Sequence, residues 1–356
     1  MRIAVFHGPR DVRIEHTVQP RAGEGEAVVE IVASGICGSD LHRYRGHDPW
    51  NGAVGFPRSG GHEIAGIVSA LGPRARGLEI GQRVAIEPVQ LAGCGVCVSC
   101  QAGATNICAN RAAVPGRGSS VGFAEFDRTP LAHLHPFPET LRFEEAALTD
   151  VYACAVHALH RVPVAAGMTV VVIGTGSVGL ALGQTIRRLG AKTILAGRHR
   201  AILQAAASMG AADETILGET GPAPESLRRL TGGGGADIVF EAAGGASSES
   251  LRMAVGLARP GGTIGILGAF VGDLHLPYGI VNRKELTIRL CNGYGMHDGR
   301  REFRTALELI RDGTLNPLPL VTHRFPLAMI ADAFRVADSK AKSGAIKVML
   351  NSARCE

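Results

Sequence analysis

The sequence lacks any long apolar run and any pattern typical of a secretion signal. No segment reaches the roughly 18 uninterrupted apolar residues that a membrane-spanning helix needs. Met1 is followed at once by the strand-like run RIAVF, with no signal-peptide pattern. We therefore expect a cytoplasmic protein with no membrane partner.

Basic clusters and aromatic residues are also scarce. The formal charge of +5 is spread along the chain, and aromatic residues make up 4% of it. Blocks of Lys and Arg interleaved with aromatic rings, which are typical of nucleic-acid surfaces, are missing. We expect a small-molecule substrate and no nucleic acid.

The sequence shows no internal repeat and no low-complexity linker, yet its 356 residues exceed what one hydrophobic core usually organises. Short β-like runs such as AVVEIVA and EIAGIVSAL fill the first part, and strands alternate with helices from about residue 164. We predict an α/β protein with two domains: a β-rich domain of residues 1–155 and 291–356, and a doubly wound parallel sheet over residues 156–290.

Four of the eight cysteines have metal-ligand spacing. They form a C-x2-C-x2-C-x7-C array, made of Cys94, Cys97, Cys100 and Cys108. Zinc in structural sites prefers four protein ligands, often all cysteine, so this array predicts a structural zinc lobe at about residues 90–110. That stretch contains no Lys or Arg, which argues against a nucleic-acid zinc ribbon. The metal-like spacing also favours a reducing compartment over a disulfide framework.

A strand-like VVVI run precedes a glycine-rich turn and an amphipathic helix. The turn has the pattern G-x-G-x-x-G, and its candidate cofactor-binding residues are Gly174, Gly176, Ser177, Val178 and Gly179. These glycines permit a tight turn and close approach of a pyrophosphate, to which the helix N-terminus donates N–H groups. We predict a dinucleotide site here.

The second strand of this pattern lacks the carboxylate that usually binds the ribose 2′-hydroxyl of NAD. The run TILAG ends at Gly197 and is followed by Arg198, His199 and Arg200. Cations at this position can bind a 2′-phosphate that a carboxylate would repel. We therefore predict a preference for NADP(H) over NAD(H).

Two further sequence blocks carry metal-ligand residues: GICGSDLH contains Cys37, and GGHEIAG contains His62 and Glu63. With the cysteine array, the nucleotide pattern and the run NRKELTI in this order, the whole chain resembles the zinc-dependent medium-chain dehydrogenase/reductase family, within the alcohol dehydrogenase superfamily. The form of the blocks looks most like the polyol (sorbitol) and threonine dehydrogenase branch. The resemblance implies a GroES-like catalytic domain, a Rossmann domain, a catalytic and a structural zinc, and a homotetramer or homodimer.

By this resemblance, Cys37 and His62 are ligands of the catalytic zinc. Asp150 stands seven residues before the histidine of the VHA run, where the branch places an acidic group at or near the metal. Many polyol enzymes have Glu-Pro there, whereas this chain has Asp-Val, so Glu63 is the alternative carboxylate ligand. Cys154 is a less favoured third candidate.

An open zinc position would lower the pKa of a bound alcohol and promote hydride transfer to the nicotinamide. Ser39 and His42 have the spacing that the family uses for a proton relay. We expect Asp40 to orient His62. Simpler roles remain open: Ser39 as a turn cap and His42 as a surface residue.

A few residues are candidates for substrate binding. Arg289, in the run RLCN, resembles the arginine that binds substrate hydroxyls in sorbitol dehydrogenases, and Trp50 and Phe123, with Tyr44 and Tyr294, are candidates to shape the outer pocket. We predict oxidoreduction of a secondary alcohol, of polyol, sugar or cyclitol type, with its ketone. Small aliphatic secondary alcohols, a β-hydroxy amino acid, or a non-catalytic NADP- and zinc-binding protein are the alternatives.

Overall fold

The computed structural model describes residues 1–48, 52–114, 121–218 and 229–351. The chain forms two compact units, Met1–Ala153 with Tyr294–Glu356 and Cys154–Gly293. The first unit is thus built from both ends of the chain. In the described ranges, no helix has the length and apolar character needed to cross a membrane.

A seven-stranded sheet organises the first unit. In spatial order its strands are Val321–Pro326, Lys347–Asn351, Glu26–Gly35, Glu63–Leu71, Arg83–Ile86 and Leu134–Pro136, with Phe126–Pro130 also paired to Glu26–Gly35. The strand Glu26–Gly35 is buried along nearly its whole length, as its almost continuous apolar run requires. Because Lys347–Asn351 pairs antiparallel with it, both ends of the chain share one sheet.

Short strand pairs and helices complete the first unit. The pairs are Arg2–Gly8 with Asp11–His16, His47–Asp48 with Gly52–Ala53, and Met296–His297 with Arg300–Arg301. The α-helices are Gly38–Tyr44, Val98–Gln101, Phe143–Ala147, Glu302–Arg311, Ile330–Asp338 and Lys340–Ser343, with 3-10 turns at Val89–Leu91, Thr105–Ile107, Arg111–Ala113, Leu131–His133, Leu318–Leu320 and Leu327–Met329. The fully buried rings of Phe6 and Phe123 pack edge-on against Phe334, with centroids 5.2 and 5.6 Å away. Through this aromatic core, the N-terminal strand pair packs against the helix Ile330–Asp338.

The second unit contains a six-stranded parallel sheet, in the spatial order Glu214–Leu217, Lys192–Gly197, Thr169–Ile173, Ala236–Glu241, Ala258–Ile266 and Thr287–Leu290. Counted along the chain, this order is 3-2-1-4-5-6, the order of the Rossmann fold. Its helices are Ser177–Arg188, Arg200–Ala206, Glu249–Leu257 and Tyr278–Arg283, and the helix Thr149–Arg161 contains the boundary between the units. The predicted doubly wound parallel sheet is confirmed.

Candidate metal and cofactor sites

The first candidate site is formed by Cys37, His62 and Glu63, whose ligand atoms all lie within 4.8 Å of one another. The strand Glu26–Gly35 ends two residues before Cys37, and the neighbouring strand begins at Glu63. Because Gly35 pairs with Glu63 across the sheet, strand pairing brings two distant sequence blocks to one place.

Asp40 fixes the geometry around this group from a fully buried position. The backbone N–H of Cys37 donates to Asp40 Oδ2 at 3.0 Å. Asp40 Oδ1 lies 3.7 Å from Nδ1 of His62, within ion-pair distance. One carboxylate therefore touches both candidate ligands, which is the position that an orienting role for Asp40 requires.

The surroundings of His62 favour positive charge. Burial disfavours its charged form, but Asp40, Cys37 and Asp150 together raise the pKa of His62 well above its usual value. A thiol, an imidazole and carboxylates are donors that zinc accepts in proteins. The residues present fit a zinc ion, because the anionic neighbours that stabilise a proton on His62 also suit a divalent cation.

Glu63 is held by a lysine that the sequence analysis did not identify. Lys347 Nζ donates to both carboxylate oxygens of Glu63 at 2.6 Å and to the carbonyl of Ile36 at 3.0 Å. A side chain at Gly35 would collide with the Glu63 carboxylate, so a larger residue there would displace that carboxylate from its present position. The available signal was a single charge in the otherwise apolar strand run GAIKVML.

Asp150 lies in the same region, but among the described residues it is not part of the group within 4.8 Å. The hydroxyl of buried Tyr294 donates to Asp150 Oδ1 at 2.6 Å. Burial raises the pKa of Asp150 to about 6, and the charge of Glu63 adds to this, while His62 and the Tyr294 hydrogen bond oppose it. Tyr294 therefore contacts a candidate metal ligand, a role that its position in the sequence did not show.

The proposed relay residues lie on the short helix that follows Cys37. Ser39 and His42 are both half-buried there, three residues apart. Burial, then Arg45 and His47, lowers the pKa of His42, although Asp48 opposes this. Cys154, the less favoured ligand candidate, is half-buried on the helix Thr149–Arg161, and the described residues grouped at the first site do not include it.

The four cysteines of the predicted lobe converge, with their sulfur atoms all within 4.8 Å of one another. Cys97 Sγ and Cys108 Sγ are 3.9 Å apart. Backbone N–H donors lower the pKa of Cys97 to about 6, whereas burial raises the pKa of Cys100 to about 12. Four converging thiols supplied with N–H donors fit a tetrahedral zinc ion, which would bind all four as thiolates.

The glycine-rich turn has the local structure that a dinucleotide site needs. Gly174 has a φ of +118°, and the helix Ser177–Arg188 begins directly after Gly176. A Cβ on Gly179 would collide with the Gly174 carbonyl, so helix and strand approach closely only with glycine there. Ser177 and Val178 are half-buried in the first helical turn, where free N–H groups can bind a pyrophosphate.

Arg198, His199 and Arg200 follow the carboxyl end of the strand Lys192–Gly197. Arg198 and Arg200 are exposed and His199 is half-buried, as the residue that precedes the helix Arg200–Ala206. The strand ends at Gly197, which packs against the side chain of Thr175 in the glycine-rich turn. Arg198 and Arg200 therefore follow closely after Gly197, a residue that contacts the glycine-rich turn.

The candidate substrate residues that the structure describes belong to different units. Arg289 is exposed on the edge strand Thr287–Leu290 of the second unit. Phe123 is fully buried in the aromatic core of the first unit, and Tyr44, 4% exposed, packs 5.0 Å from Phe334 in the same core. Trp50 lies outside the described residues.

The second unit holds one buried acid that the sequence analysis did not identify. The carboxyl of Glu241, at the end of the strand Ala236–Glu241, accepts hydrogen bonds from the N–H groups of Ala243 at 3.0 Å and Gly244 at 2.9 Å. A Cβ on Gly174 would stand 2.8 Å from the Ala243 nitrogen. Glu241 therefore supports the backbone against which the glycine-rich turn packs.

Two protein-family models match the chain. The Alcohol dehydrogenase GroES-like domain matches residues 23–139, and the Zinc-binding dehydrogenase model matches residues 177–312. The first match confirms the expected GroES-like domain. The second falls on the parallel-sheet unit and reaches into the C-terminal return.

Relatives are similar over almost the whole chain. Sorbitol dehydrogenase of Bacillus subtilis strain 168 is 30% identical over 352 residues, which cover 98% of this chain and 97% of the relative. The structure of galactitol-1-phosphate dehydrogenase from Escherichia coli matches with a TM-score of 0.85 at 29% identity, covering 99% of this chain and 100% of that one. A zinc-binding dehydrogenase from Sinorhizobium meliloti 1021 bound to NADP matches with a TM-score of 0.84 at 27% identity, covering 98% of both chains.

Proposed function

Since this chain belongs to the polyol branch of the zinc-dependent medium-chain alcohol dehydrogenases and is an NAD(P)-dependent oxidoreductase, we propose that it interconverts a secondary alcohol of polyol, sugar or cyclitol type with its ketone, using NADP(H). The observation that carries this proposal is the convergence of the Cys37 thiol and the His62 imidazole beside the carboxylate of Glu63, with the charge of Asp150 also acting on His62. The names of two relatives, a sorbitol and a galactitol-1-phosphate dehydrogenase, support the polyol class.

For the catalytic zinc we assign Cys37, His62 and Asp150 as protein ligands. Both oxygens of Glu63 are bound by Lys347. Tyr294 binds only Oδ1 of Asp150, which leaves Oδ2 for another partner. Zinc bound to Glu63 would have to share its oxygens with the Lys347 ammonium and lie close to that charge, and this favours Asp150.

A zinc ion held by these residues would supply a Lewis acid that lowers the pKa of an alcohol hydroxyl, and NADP+ held in the second unit would supply the hydride acceptor. The Ser39 hydroxyl accepts the proton of the substrate hydroxyl, and His42 passes it toward solvent. Because the environment lowers the pKa of His42, its imidazole is neutral near pH 7 and able to accept that proton. Asp40 keeps the His62 ring in place throughout.

We assign the dinucleotide to the turn Gly174–Gly179 and the helix that follows it. The helix N-terminus binds the pyrophosphate through backbone N–H groups. Arg198 and Arg200, with His199, bind the 2′-phosphate, which gives the preference for NADP(H). A second, structural zinc is assigned to Cys94, Cys97, Cys100 and Cys108 on the convergence of their sulfur atoms.

We further propose a homo-oligomer, a dimer or tetramer. The strand Thr287–Leu290 is an edge of the parallel sheet and carries Leu290 with 66% of its surface exposed. The same unit exposes 75% of Tyr278. An open edge strand with exposed apolar side chains is suited to pairing with a second copy.

The test is a screen for absorbance change at the NADPH band with polyols, aminocyclitols, sugars, small secondary alcohols, β-hydroxy amino acids and the matching ketones. We expect turnover of a polyol or sugar substrate with NADP+, and loss of hydride transfer in Cys37→Ser with fold and lobe zinc retained. Unchanged activity of Cys37→Ser would contradict the metal assignment. Turnover confined to small alcohols or β-hydroxy amino acids would contradict the substrate class, and cofactor binding without turnover of any compound would indicate a non-catalytic protein.

A further inference from the structure

The cysteine lobe is hydrogen-bonded to the segment that contains Tyr294. Gly103 lies between the lobe residues Cys100 and Cys108, and its N–H donates to the Cys100 carbonyl at 3.0 Å. The Gly103 carbonyl accepts from the N–H of Met296 at 2.8 Å, and Met296 follows Tyr294 by two residues. A backbone hydrogen bond therefore joins the proposed structural zinc lobe to the neighbourhood of Tyr294.

The backbones of the lobe and of this segment approach each other closely at two glycines. A Cβ at Gly103 would stand 2.8 Å from the Met296 carbonyl oxygen. A Cβ at Gly295 would stand 2.8 Å from the Gly103 carbonyl oxygen and 3.0 Å from Asn106 Oδ1. Gly103 also has a φ of +82°, which favours glycine. A larger residue at either position would therefore push the two backbones apart.

The other side of the segment is fixed by the helix that follows it. The buried carboxylate of Glu302 accepts from the Gly295 N–H at 2.7 Å, and the Gly295 carbonyl accepts from the Glu302 N–H at 3.1 Å. The buried rings of Tyr294 and Phe303 lie with their centroids 5.9 Å apart. Held from both sides, Tyr294 places its hydroxyl 2.6 Å from Asp150 Oδ1.

We propose that Gly103 and Gly295 are positioning residues, through which the folded lobe places the Tyr294 hydroxyl and so orients Asp150 for the catalytic zinc. This inference rests on the proposed zinc dehydrogenase function and gives the lobe a second role besides stability. A carboxylate that a hydrogen bond already orients binds a metal more tightly, because less of its freedom is lost on binding. Each step of the route lies within the first unit.

The experiment measures zinc affinity at the catalytic site of the full chain by competition with a chromophoric chelator. Gly103→Ala and Gly295→Ala should each weaken it about 10- to 100-fold, as loss of a supporting contact does, with the lobe zinc retained. Gly103→Ala combined with Tyr294→Phe should lose no more than Tyr294→Phe alone, because a phenyl ring has no hydroxyl to place. Gly299→Ala is the matched control, since Gly299 has a φ of +76° in the same segment but no atom within 4 Å of an added Cβ. It should leave the affinity unchanged.

A second measurement decides the question if the alanine variants do not fold. Cys37→Ser is expected to keep only the lobe zinc, so a chelator then acts on the lobe alone. Amide hydrogen exchange over residues 294–301 of this variant should be slower with zinc in the lobe than after its removal. Equal exchange in the two states overturns the inference.

Two results with folded variants also overturn the inference and leave the dehydrogenase function intact. One is unchanged zinc affinity in both Gly103→Ala and Gly295→Ala. The other is a loss in Gly103→Ala that adds to the loss in Tyr294→Phe, as a general weakening of the fold would give. A wild-type chain that binds zinc in the lobe alone and oxidises no polyol would refute the proposed function itself, and this inference with it.

Discussion

Lys347 Nζ lies 2.6 Å from both oxygens of Glu63, and the two side chains are 1% and 0% exposed. Each charge is out of water, so neither is stable without the other. The pair fixes Glu63 beside Cys37 and His62, and it joins the C-terminal strand to the start of the strand Glu63–Leu71. The ion pair therefore supports the site that we propose for the catalytic zinc.

Lys347→Met should therefore destabilise the protein strongly. Removal of one partner of a buried ion pair costs about 3–5 kcal/mol, which can be measured by denaturant unfolding at a fixed zinc concentration. Lys342→Met, at an exposed position, is the control and should change the free energy of unfolding by less than about 0.5 kcal/mol. The double variant Glu63→Gln with Lys347→Met should recover part of the loss. A cost below about 1 kcal/mol for Lys347→Met would contradict the role of the pair.

The assignment of the third zinc ligand predicts different metal affinities for two carboxylate variants. Asp150→Asn should weaken zinc binding at the catalytic site more than Glu63→Gln does, because Asp150 donates directly. Tyr294→Phe, which removes the hydrogen bond to Asp150, should weaken zinc binding about 10- to 100-fold, as loss of a supporting contact typically does. Competition with a chromophoric chelator measures all three. The opposite order, with Glu63→Gln losing zinc and Asp150→Asn retaining it, would make Glu63 the ligand.

Variants at the two proposed metal sites should affect different properties, with activity lost at one site and stability lost at the other. Cys37→Ser should abolish turnover while the melting temperature changes little. Cys108→Ser should lower the melting temperature, because a closed four-cysteine site contributes to folding. Zinc content, measured by atomic absorption, should fall from two ions per chain to one in each variant. Unaltered stability of Cys108→Ser in the presence of a chelator is the result that would refute a structural zinc.

Cofactor preference should depend on the residues after Gly197. Arg198→Ala and Arg200→Ala should each lower the ratio of kcat/KM for NADPH over NADH, with the larger effect in the range of 10- to 100-fold for loss of a charged hydrogen bond. Arg188→Ala removes an exposed arginine at the end of the helix Ser177–Arg188 and should leave the ratio unchanged. Equal use of NADPH and NADH by the wild-type protein would refute the 2′-phosphate assignment.

Asp127 should make stability depend on pH in the opposite direction from most carboxylates. Burial raises its pKa to about 6, despite hydrogen bonds from Thr129 and the Val121 backbone. Because the folded pKa exceeds the unfolded one, this group stabilises the fold below about pH 4, and the contribution is lost as the pH rises through about 6. Asp127→Asn should gain on the order of 2 kcal/mol relative to wild type between pH 4 and pH 7. Denaturant unfolding of both proteins across this range measures it, and a constant difference would contradict the shifted pKa.

The parts that were predictable from the sequence are those whose chemistry is local. The glycine-rich turn and the cysteine array each concentrate their residues within a short segment, and the alternation of strands and helices indicated the parallel sheet. The Lys347–Glu63 and Tyr294–Asp150 contacts join residues 284 and 144 positions apart. Only strand pairing and folding of the C-terminal segment into the first unit bring them together, so no spacing rule revealed them.

The direction in which a side chain points could not be predicted from the sequence either. Phe123 suggested a pocket wall because an aromatic ring suits a ligand surface, but its ring packs against Phe6 and Phe334 in the core. An isolated aromatic residue in a turn-rich region has no periodicity that reveals which way it points. The buried acid Glu241 was overlooked for a similar reason, since its partners are backbone N–H groups, which every sequence contains.

In the sheet of the first unit, the strand Lys347–Asn351, which is synthesised last, pairs with the strand Glu26–Gly35, which is synthesised early. During synthesis, Gly35 and Glu63 leave the ribosome long before the strand Lys347–Asn351 exists. Until that strand is made, the carboxylate of Glu63 lacks the Lys347 ammonium, and residues 33–35 of the strand Glu26–Gly35 lack the partners with which they pair in the folded protein. We therefore expect the proposed catalytic zinc site to be completed only after synthesis of the C-terminal strand, whereas the four cysteines of the lobe are available for metal binding earlier.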